Sequence, residues 1–246
     1  MDRARFDYLS EFLRPIAIET PLIRVGSFGD GGYVVPNDFS GIAACYSPGV
    51  SQQSSFELDI AKYGIPSFMA DASVDSPSIN VPRSQFLKKF IGAEDKGNVI
   101  SMARWVAETD TSPDDDLLLQ MDIEGAEYAA LSAMPDNLVK RFRMIILELH
   151  HLPAVLTKEP FFRRAKAAID RLNPWFQSVH LHPNNASGSV TLEGIDIPRV
   201  VEISLLRRDR VKRKEALPVL PHPLDVPHRA NRPPIKLPPA WGGIES

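Results

Sequence analysis

The sequence predicts an α/β fold with a seven-stranded sheet. Short apolar runs alternate along the chain with stretches of helical periodicity, an order typical of βαβ units. The clearest case is the apolar run at residues 117–121, which stops at Asp122 and continues into alanines at helical spacing. Since 246 residues suffice for one large core, we expect one α/β domain at residues 1–206 and a tail at residues 207–246.

Composition narrows the class of protein. Hydrophobic residues make up 43% of the chain and charged residues 24%, which is ordinary for a globular protein. No apolar run approaches the length of a membrane span, and residues 1–13 are charged and amphipathic, so we expect a cytoplasmic protein without a membrane span. Cys45 is the single cysteine, which rules out an intrachain disulfide, and its apolar surroundings predict a buried, inert thiol.

The tail differs from the rest of the chain in charge and composition. It holds nine Lys or Arg, four Asp or Glu and eight prolines, whereas residues 1–206 hold 19 basic and 27 acidic residues. The body lacks the basic, aromatic-lined face that nucleic acid binding requires, so we expect no nucleic acid partner. The tail is predicted to be either disordered or an arm that packs on a neighbouring subunit, giving a homo-oligomer.

The first elements surround a glycine-rich turn. Residues 4–17 form an amphipathic pattern, which predicts that a helix within residues 1–20 covers the core. Four glycines, including Gly31 and Gly32, then surround Asp30 between two short apolar runs. This pattern fits either a plain hairpin turn or a loop where backbone approaches a ligand closely.

A βαβ unit follows the glycine turn. The strand at residues 42–46 ends at Ser47 and Gly49, and the chain becomes helical after Ser51, with Glu57 one turn into the helix. The loop lacks the GxGxxG pattern of dinucleotide-binding proteins. We therefore expect these hydroxyl, glycine and carboxylate groups to contact a ligand without a pyrophosphate.

Asp71 closes the next predicted strand, roughly 22 residues after Gly49. This spacing is typical of a carboxylate that binds a ribose diol, although Asp71 can equally cap a turn with Ser73. The stretch at residues 81–90 is predicted to contain a short helix, and residues 98–101 a strand.

Polar side chains follow the buried strands of the second half. Asp122 and Glu124 come directly after the strand at residues 117–121, where open α/β sheets bind ligands. His150 and His151 end the apolar strand at residues 144–149, in which Glu148 shares a side with His150 by period two. Strands at residues 177–182 and 200–206, the first followed by Asn184 and Asn185, complete the predicted sheet.

These pieces resemble the FkbM-like S-adenosylmethionine-dependent methyltransferases. The strongest match is MDIEGAEYAAL at residues 121–131. It is supported by FGDGGYVV at residues 28–35, SPGVSQQSSFE at 47–57, ELHHL at 148–152 and HLHPNN at 180–185. The resemblance implies a Rossmann-like seven-stranded methyltransferase sheet with helices on both faces, S-adenosylmethionine as cofactor, and O-methylation of a sugar or glycan-like small acceptor.

The resemblance also implies a cofactor site. The loop from Ser47 to Ser51 is expected to line the methionine moiety, Asp71 to hold the ribose, and Asp122 to stand beside the methyl group. The loop has Pro48 and a single glycine instead of the usual glycine pattern, so the glycine turn is expected to help hold the cofactor's carboxylate. The full expected set is Gly31, Gly32, Ser47, Gly49, Ser51, Glu57, Asp71 and Asp122.

Methylation of an alcohol requires removal of its proton during attack. The predicted catalytic residues are Asp122, Glu124, His150 and His182. Either a histidine is the general base, or Asp122, His150 and His182 bind a divalent metal ion that lowers the pKa of a substrate hydroxyl. His151, Asn184 and Asn185 are the predicted substrate-binding residues. The alternative function is a non-catalytic scaffold with a methyltransferase fold, whereas the missing GxGxxG disfavours an NAD-dependent enzyme.

Overall fold

A computed structural model of the chain describes residues 1–50, 54–109 and 111–242. The predicted α/β fold is confirmed, since these residues form one mixed seven-stranded sheet with helices and three two-stranded sheets around it. The helices are α1 (Arg3–Leu13), α2 (Ser55–Ala61), α3 (Met102–Ala107), α4 (Glu127–Ala133), α5 (Asp136–Val139), α6 (Leu152–Thr157) and α7 (Glu159–Leu172). The strands are β1 (Leu22–Gly26), β2 (Gly32–Pro36), β3 (Ile42–Pro48), β4 (Ser67–Ala70), β5 (Ser84–Leu87), β6 (Phe90–Gly92), β7 (Val99–Ser101), β8 (Asp116–Met121), β9 (Phe142–Leu149), β10 (Phe176–Pro183), β11 (Ser189–Leu192), β12 (Ile195–Pro198) and β13 (Val201–Arg207).

The strand order of the main sheet is β10-β13-β9-β8-β3-β4-β5. Strands β9, β8, β3, β4 and β5 are parallel to one another, whereas β13 runs antiparallel to both β9 and β10. The carboxyl ends of β3, β4, β8 and β9 therefore meet at one edge of the sheet, where a ligand site is expected.

The central strand β8 has both faces buried. Leu117 and Leu119 pack with residues of α1, α3, α4, α6 and α7 on one face, whereas Leu118 packs with Phe56 of α2 and with the β1–β2 hairpin on the other. A parallel strand that is buried on both faces has a continuous apolar sequence, and the apolar run at residues 117–121 therefore predicts this strand.

The helix predicted within residues 81–90 is wrong, because the chain there forms β5, the edge strand of the main sheet. The strand predicted at residues 98–101 is formed as β7, but it pairs with β6 outside the main sheet. Strand β5 is only partly buried and pairs with β4 alone, so its residues carry little apolar pattern. Its backbone pairing with β4 is long-range, and a local sequence pattern gives no signal for it.

The amino edge of the sheet is closed by arginine–aspartate pairs. Arg143 Nη2 lies 2.7 Å from Asp116 Oδ2, and Arg143 Nη1 lies 3.4 Å from Asp38 Oδ1. Arg207 also pairs with Asp116, and Arg210 Nη2 lies 2.7 Å from Asp38 Oδ1. These pairs join the starts of β8 and β9 to the end of β13, on the side of the sheet opposite the carboxyl edge.

The Pro-rich segment after β13 packs on its own chain over much of its length. Trp241 is fully buried, stacks on Phe6 with ring centroids 5.9 Å apart, and donates a hydrogen bond from Nε1 to Ser10 Oγ at 2.9 Å. Leu217 and Val219, in contrast, are exposed. An oligomeric role for this segment stays a prediction. In the described part of the chain, no helix is long and apolar enough to cross a membrane.

Candidate active site

A cavity of about 770 Å³ lies at the carboxyl edge of the sheet. Eight of the predicted site residues line it: Gly31, Gly49, Glu57, Asp71, Asp122, Glu124, His150 and Asn184. They come from the glycine turn, from the residues after β3, β4, β8, β9 and β10, and from α2. The topology therefore gathers residues from most of the chain at the edge where function was expected.

The cavity is strongly acidic. Six carboxylate side chains line it: Asp30, Glu57, Asp71, Asp122, Glu124 and Glu148. Among the described lining residues there is one histidine, His150, and neither lysine nor arginine. Such a lining favours a cationic ligand, and it disfavours one that carries a pyrophosphate.

His150 lies at the centre of these carboxylates. Its Nδ1 is 3.1 Å from Glu127 Oε1, and its Nε2 is 3.4 Å from Glu124 Oε2 and 3.8 Å from Asp122 Oδ1. Glu148 Oε2 is 4.0 Å from the same Nε2. Glu127 therefore lies next to one ring nitrogen, while the other nitrogen lies among the carboxylates that line the cavity.

These contacts change the acidity of the whole cluster. Burial raises the pKa of Asp122 to about 8, and the charge of Glu148 adds to this effect while His150 opposes it. Burial alone lowers the pKa of His150, but the hydrogen bond and charge of Glu127, with Asp122 and Glu148, raise it to about 9. Burial also raises the pKa of Glu148. The cluster thus exchanges protons with solvent at neutral to mildly alkaline pH.

The turn between β8 and α4 explains the order of residues in the motif DIEGAE. Glu127 is fully buried, and its Oε1 accepts hydrogen bonds at 3.0 Å from the backbone N–H groups of Ile123 and Gly125. Gly125 has φ +103°, and a Cβ there would lie 2.6 Å from Nε2 of His151. Glu127 therefore stabilises the turn and also contacts His150. His151 packs on Gly125.

A second polar network holds Glu57 at the cavity wall. Ser47 Oγ contacts Glu57 Oε1 and lies 2.6 Å from Gln120 Oε1, and Gln120 Nε2 donates to Tyr33 Oη at 3.0 Å. Burial raises the pKa of Glu57 to about 7, although the hydrogen bond from Ser47 opposes this. Glu57 Oε2 is buried and has no hydrogen-bond partner within the described residues.

Gly49 and Asp71 lie at the ends of neighbouring strands. Gly49 has φ +88°, and a Cβ there would lie 1.6 Å from the carbonyl oxygen of Asp122, so the packing of β3 against β8 requires this glycine. Asp71 Oδ1 accepts hydrogen bonds from Ser73 N at 2.7 Å and Ser73 Oγ at 2.6 Å. Asp71 thus caps a turn, as one of its two predicted roles required, and it also lines the cavity.

Some predicted site residues are not among those that line the cavity. His182 lies away from Asp122 and His150, with its Nδ1 3.4 Å from Asp225 Oδ2, so the predicted metal set of Asp122, His150 and His182 is not assembled. Asn185 holds the C-terminal segment through hydrogen bonds with the backbone of residues 229 and 232.

Four further predicted residues complete this comparison. His151 packs on Gly125 and does not line the cavity. Gly32 pairs with Gly26 in the β1–β2 hairpin, so the hairpin interpretation of the glycine turn is correct while Gly31 still reaches the cavity. Ser47 acts behind Glu57. Ser51 lies outside the described residues.

The structure adds Glu148, Glu127 and His228 to the site region. Glu148 shares a side of β9 with His150, a relation visible in the sequence, but nothing there marked Glu148 as part of the site. Glu127 lies in the first turn of α4, where an acidic side chain is ordinarily explained by the positive end of the helix alone. His228 lies in the Pro-rich segment, where no periodicity points to any position, and its Nε2 lies 3.6 Å from Glu148 Oε1.

Comparison with known protein families agrees with this geometry. Residues 66–193, more than half of the chain, match the methyltransferase FkbM domain. The chain belongs to the FkbM methyltransferase family. Within the FkbM match lie Asp71, Asp122, Glu148 and His150, whereas the glycine turn, Ser47, Glu57 and His228 lie outside it. Comparison with curated proteins finds no match.

Proposed function

We propose that the protein is an S-adenosylmethionine-dependent O-methyltransferase whose acceptor is a hydroxylated, carbohydrate-like small molecule. The observation that carries this proposal is the acidic cavity. In it, carboxylate oxygens of Asp122 and Glu148 and a ring nitrogen of His150 lie within 4.8 Å of one another. Membership of a methyltransferase family supports the reaction class. We also propose a cytoplasmic location.

The residues present fit this cofactor. When bound, it supplies an electrophilic methyl group on a sulfonium ion, and the acidic lining favours that positive charge. Glu57 Oε2, which is buried without a described partner, can accept a hydrogen bond from an ammonium group. Asp71 at the end of β4 is positioned for a ribose diol, and Gly31 and Gly49 contribute backbone to the wall of the cavity.

Asp122 and His150 are proposed to handle the acceptor's proton. Glu127 Oε1, 3.1 Å from Nδ1 of His150, is proposed to orient the ring as a carboxylate orients a catalytic histidine, with Nε2 on the side of Asp122. Because Asp122 Oδ1 and His150 Nε2 are 3.8 Å apart, the charge of each group affects the pKa of the other, and the two titrate as a pair. The pair accepts the hydroxyl proton when it is deprotonated, whereas the exposed Glu124 contributes negative charge at the entrance.

Glu148 and Asn184 are proposed to bind acceptor hydroxyl groups. Asn184 Nδ2 donates to Glu148 Oε2 at 3.3 Å, and Asn184 Oδ1 accepts from the backbone N–H of Ala186 at 2.9 Å. Both side chains line the cavity. A carboxylate next to an amide is suited to a vicinal diol, because the pair offers both acceptors and a donor.

The proposal is tested by calorimetric titration of the protein with S-adenosylhomocysteine, with and without magnesium, manganese or zinc. We expect binding in the micromolar range, roughly 8 kcal/mol of binding free energy. No binding under any of these conditions would favour the non-catalytic scaffold. A metal requirement for binding would instead contradict a site that works through Asp122 and His150 alone.

The catalytic role of Asp122 is tested by methyl transfer from radiolabelled S-adenosylmethionine to a panel of methyl glycosides. Asp122→Asn keeps the shape of the side chain but removes the carboxyl group that can bind and release a proton, so we expect kcat to fall by roughly 10²-fold or more. Asp114→Asn, the same change in an exposed loop, is the matched control and should leave kcat unchanged. An unchanged kcat in Asp122→Asn would refute the assignment.

A further inference from the structure

Strands β9 and β13 place two buried glutamates directly opposite each other. Glu148 and Glu202 are partners in the antiparallel register, and their side chains are 3% and 5% exposed. Like charges opposite each other on neighbouring strands are destabilising, and buried carboxylates require a compensating cation. Within the described ion pairs, however, these two glutamates have only histidine partners.

The partner that the two glutamates share is His228, from the Pro-rich segment. Its Nε2 lies 2.8 Å from Glu202 Oε1 and 3.6 Å from Glu148 Oε1, and its side chain is 2% exposed. Asp30 belongs to the same cluster, with ligand atoms of Asp30, Glu148 and His228 within 4.8 Å of one another. Burial lowers the pKa of His228, but the two glutamates raise it to about 10. The ring is therefore an imidazolium at neutral pH.

The chain is fixed on both sides of His228. Before it, Asp225 accepts hydrogen bonds from His180 Nε2 at 2.8 Å and from the backbone N–H of His222 at 2.7 Å. After it, Asn185 bonds the backbone of Arg229 in both directions, each at 3.0 Å. These contacts hold His228 in one place with respect to the sheet.

We propose that His228 is a positioning residue of the active site, and that the C-terminal segment which carries it supports the cavity wall from behind through Glu148. This inference rests on the proposed function. The imidazolium lies beside both Glu202 and Glu148, opposes the effect of burial on the pKa of Glu148, and so favours its charged form beside Asp122 and His150. Without His228, His150 is the one remaining described ion-pair partner of Glu148, and its interaction with Asp122 weakens.

The first test needs no acceptor. In the full-length protein with ¹⁵N-labelled histidine rings, NMR should show both nitrogens of His228 protonated at neutral pH. His228→Gln should shift the ring signals of His150, which shares Glu148 with it, while leaving the affinity for S-adenosylhomocysteine within about twofold. His222→Gln, in the same segment but without a carboxylate partner among the described ion pairs, is the matched control and should not move the His150 signals.

Several results would overturn the inference. A neutral His228 ring in the wild type would do so, as would unchanged His150 signals in His228→Gln. Zinc or manganese binding that is present in the wild type and lost in His228→Gln would show a metal ligand instead of an imidazolium. Failure of S-adenosylhomocysteine to bind the wild type would contradict the proposed function, while the NMR result would still decide the role of His228.

Kinetics separate positioning from a purely structural role. With a glycoside that the wild type methylates, His228→Ala should lower kcat on the order of 10²-fold, as when one preorganised electrostatic partner is lost, and added imidazole should restore part of it. If single variants do not fold, Glu202→Gln with His228→Gln removes both members of the pair, which is far less costly than removing one. Wild-type kcat and unshifted His150 signals in this folded double variant would refute the inference.

Discussion

Glu57→Gln should make the protein more stable at neutral and alkaline pH. The Glu57 carboxyl is buried, one of its oxygens has no described hydrogen-bond partner, and burial raises its pKa from 4.5 to about 7. The folded state therefore holds this proton more tightly than the unfolded state does. As a consequence, the contribution of Glu57 to stability falls as pH rises from about 4.5 to about 7 and stays low above that. Glutamine, which carries no charge, removes this pH dependence.

The size of the effect follows from the shift. The difference between a pKa of 4.5 and one of about 7 corresponds to about 3 kcal/mol of unfolding free energy, lost in full above pH 7. The amide oxygen of glutamine can still accept the hydrogen bond from Ser47. Its NH₂ group, however, places a hydrogen-bond donor where the wild type has a carboxylate oxygen. We therefore expect a gain of about 1 to 3 kcal/mol for Glu57→Gln near pH 8 and almost none near pH 4.5.

Urea unfolding at several pH values between about 4.5 and 8 measures this directly. Glu94→Gln, the same change at an exposed site, should follow the wild-type curve throughout. The stabilised Glu57→Gln variant should also bind S-adenosylhomocysteine at least about tenfold more weakly, because it lacks the carboxylate proposed for the cofactor's ammonium group. A wild type and a Glu57→Gln variant with parallel pH dependence would refute the reasoning.

Two further predictions concern the cluster and its support. The pKa of Asp122 is raised to about 8 and that of His150 to about 9, so kcat/KM should rise with pH and level off between about pH 8 and 9. A profile that is flat from about pH 6 to 9 would argue against this pair as the base. Gly49→Ala places a Cβ 1.6 Å from the Asp122 carbonyl at a φ of +88°, so it should cost about 3 kcal/mol or more and show a lowered Tm; Gly97→Ala, also at positive φ but with no atom within 4 Å, measures the backbone part alone.

The strand, turn and helix around Asp122 could be predicted because three local signals agree there. The apolar run, the glycine and the alanine periodicity each require the same structure, and burial on both faces keeps the pattern continuous. The position of the cavity follows from this strand, turn and helix. Asp122, Glu124 and His150 were found for the same reason, since each directly follows a strand with a strong pattern.

The misplacement of His182 has a topological cause. In chain order β10 follows β9, which suggests that their ends are adjacent. In the sheet, β13 lies between them and runs antiparallel, so His182 is two strands away from His150 and Glu202 is placed opposite Glu148 instead. Insertion of a late strand leaves no mark on the local sequence, because it is decided by long-range pairing.

The C-terminal segment shows a second limit of sequence patterns. Its prolines and basic residues leave no periodic pattern, and composition does not say against which surface such a chain packs. Here the segment is held on the body of the protein by hydrogen bonds between the Asn185 side chain and the backbone of the segment, and by burial of Trp241 against α1. These partners are separated by more than 40 residues in the chain, beyond the reach of any local signal.

The arginine–aspartate pairs at the amino edge have a consequence for the long-range field of the molecule. Arginine stays protonated throughout the physiological range, so the charge at that end does not vary with pH. At the other end, the described lining of the cavity has histidine as its one basic side chain, and its excess negative charge grows as the carboxylates ionise. The mouth of the cavity therefore becomes more negative as pH rises, whereas the paired charges at the amino edge stay balanced. Diffusing cations are guided to that mouth, and added salt slows their arrival without altering the walls that receive them.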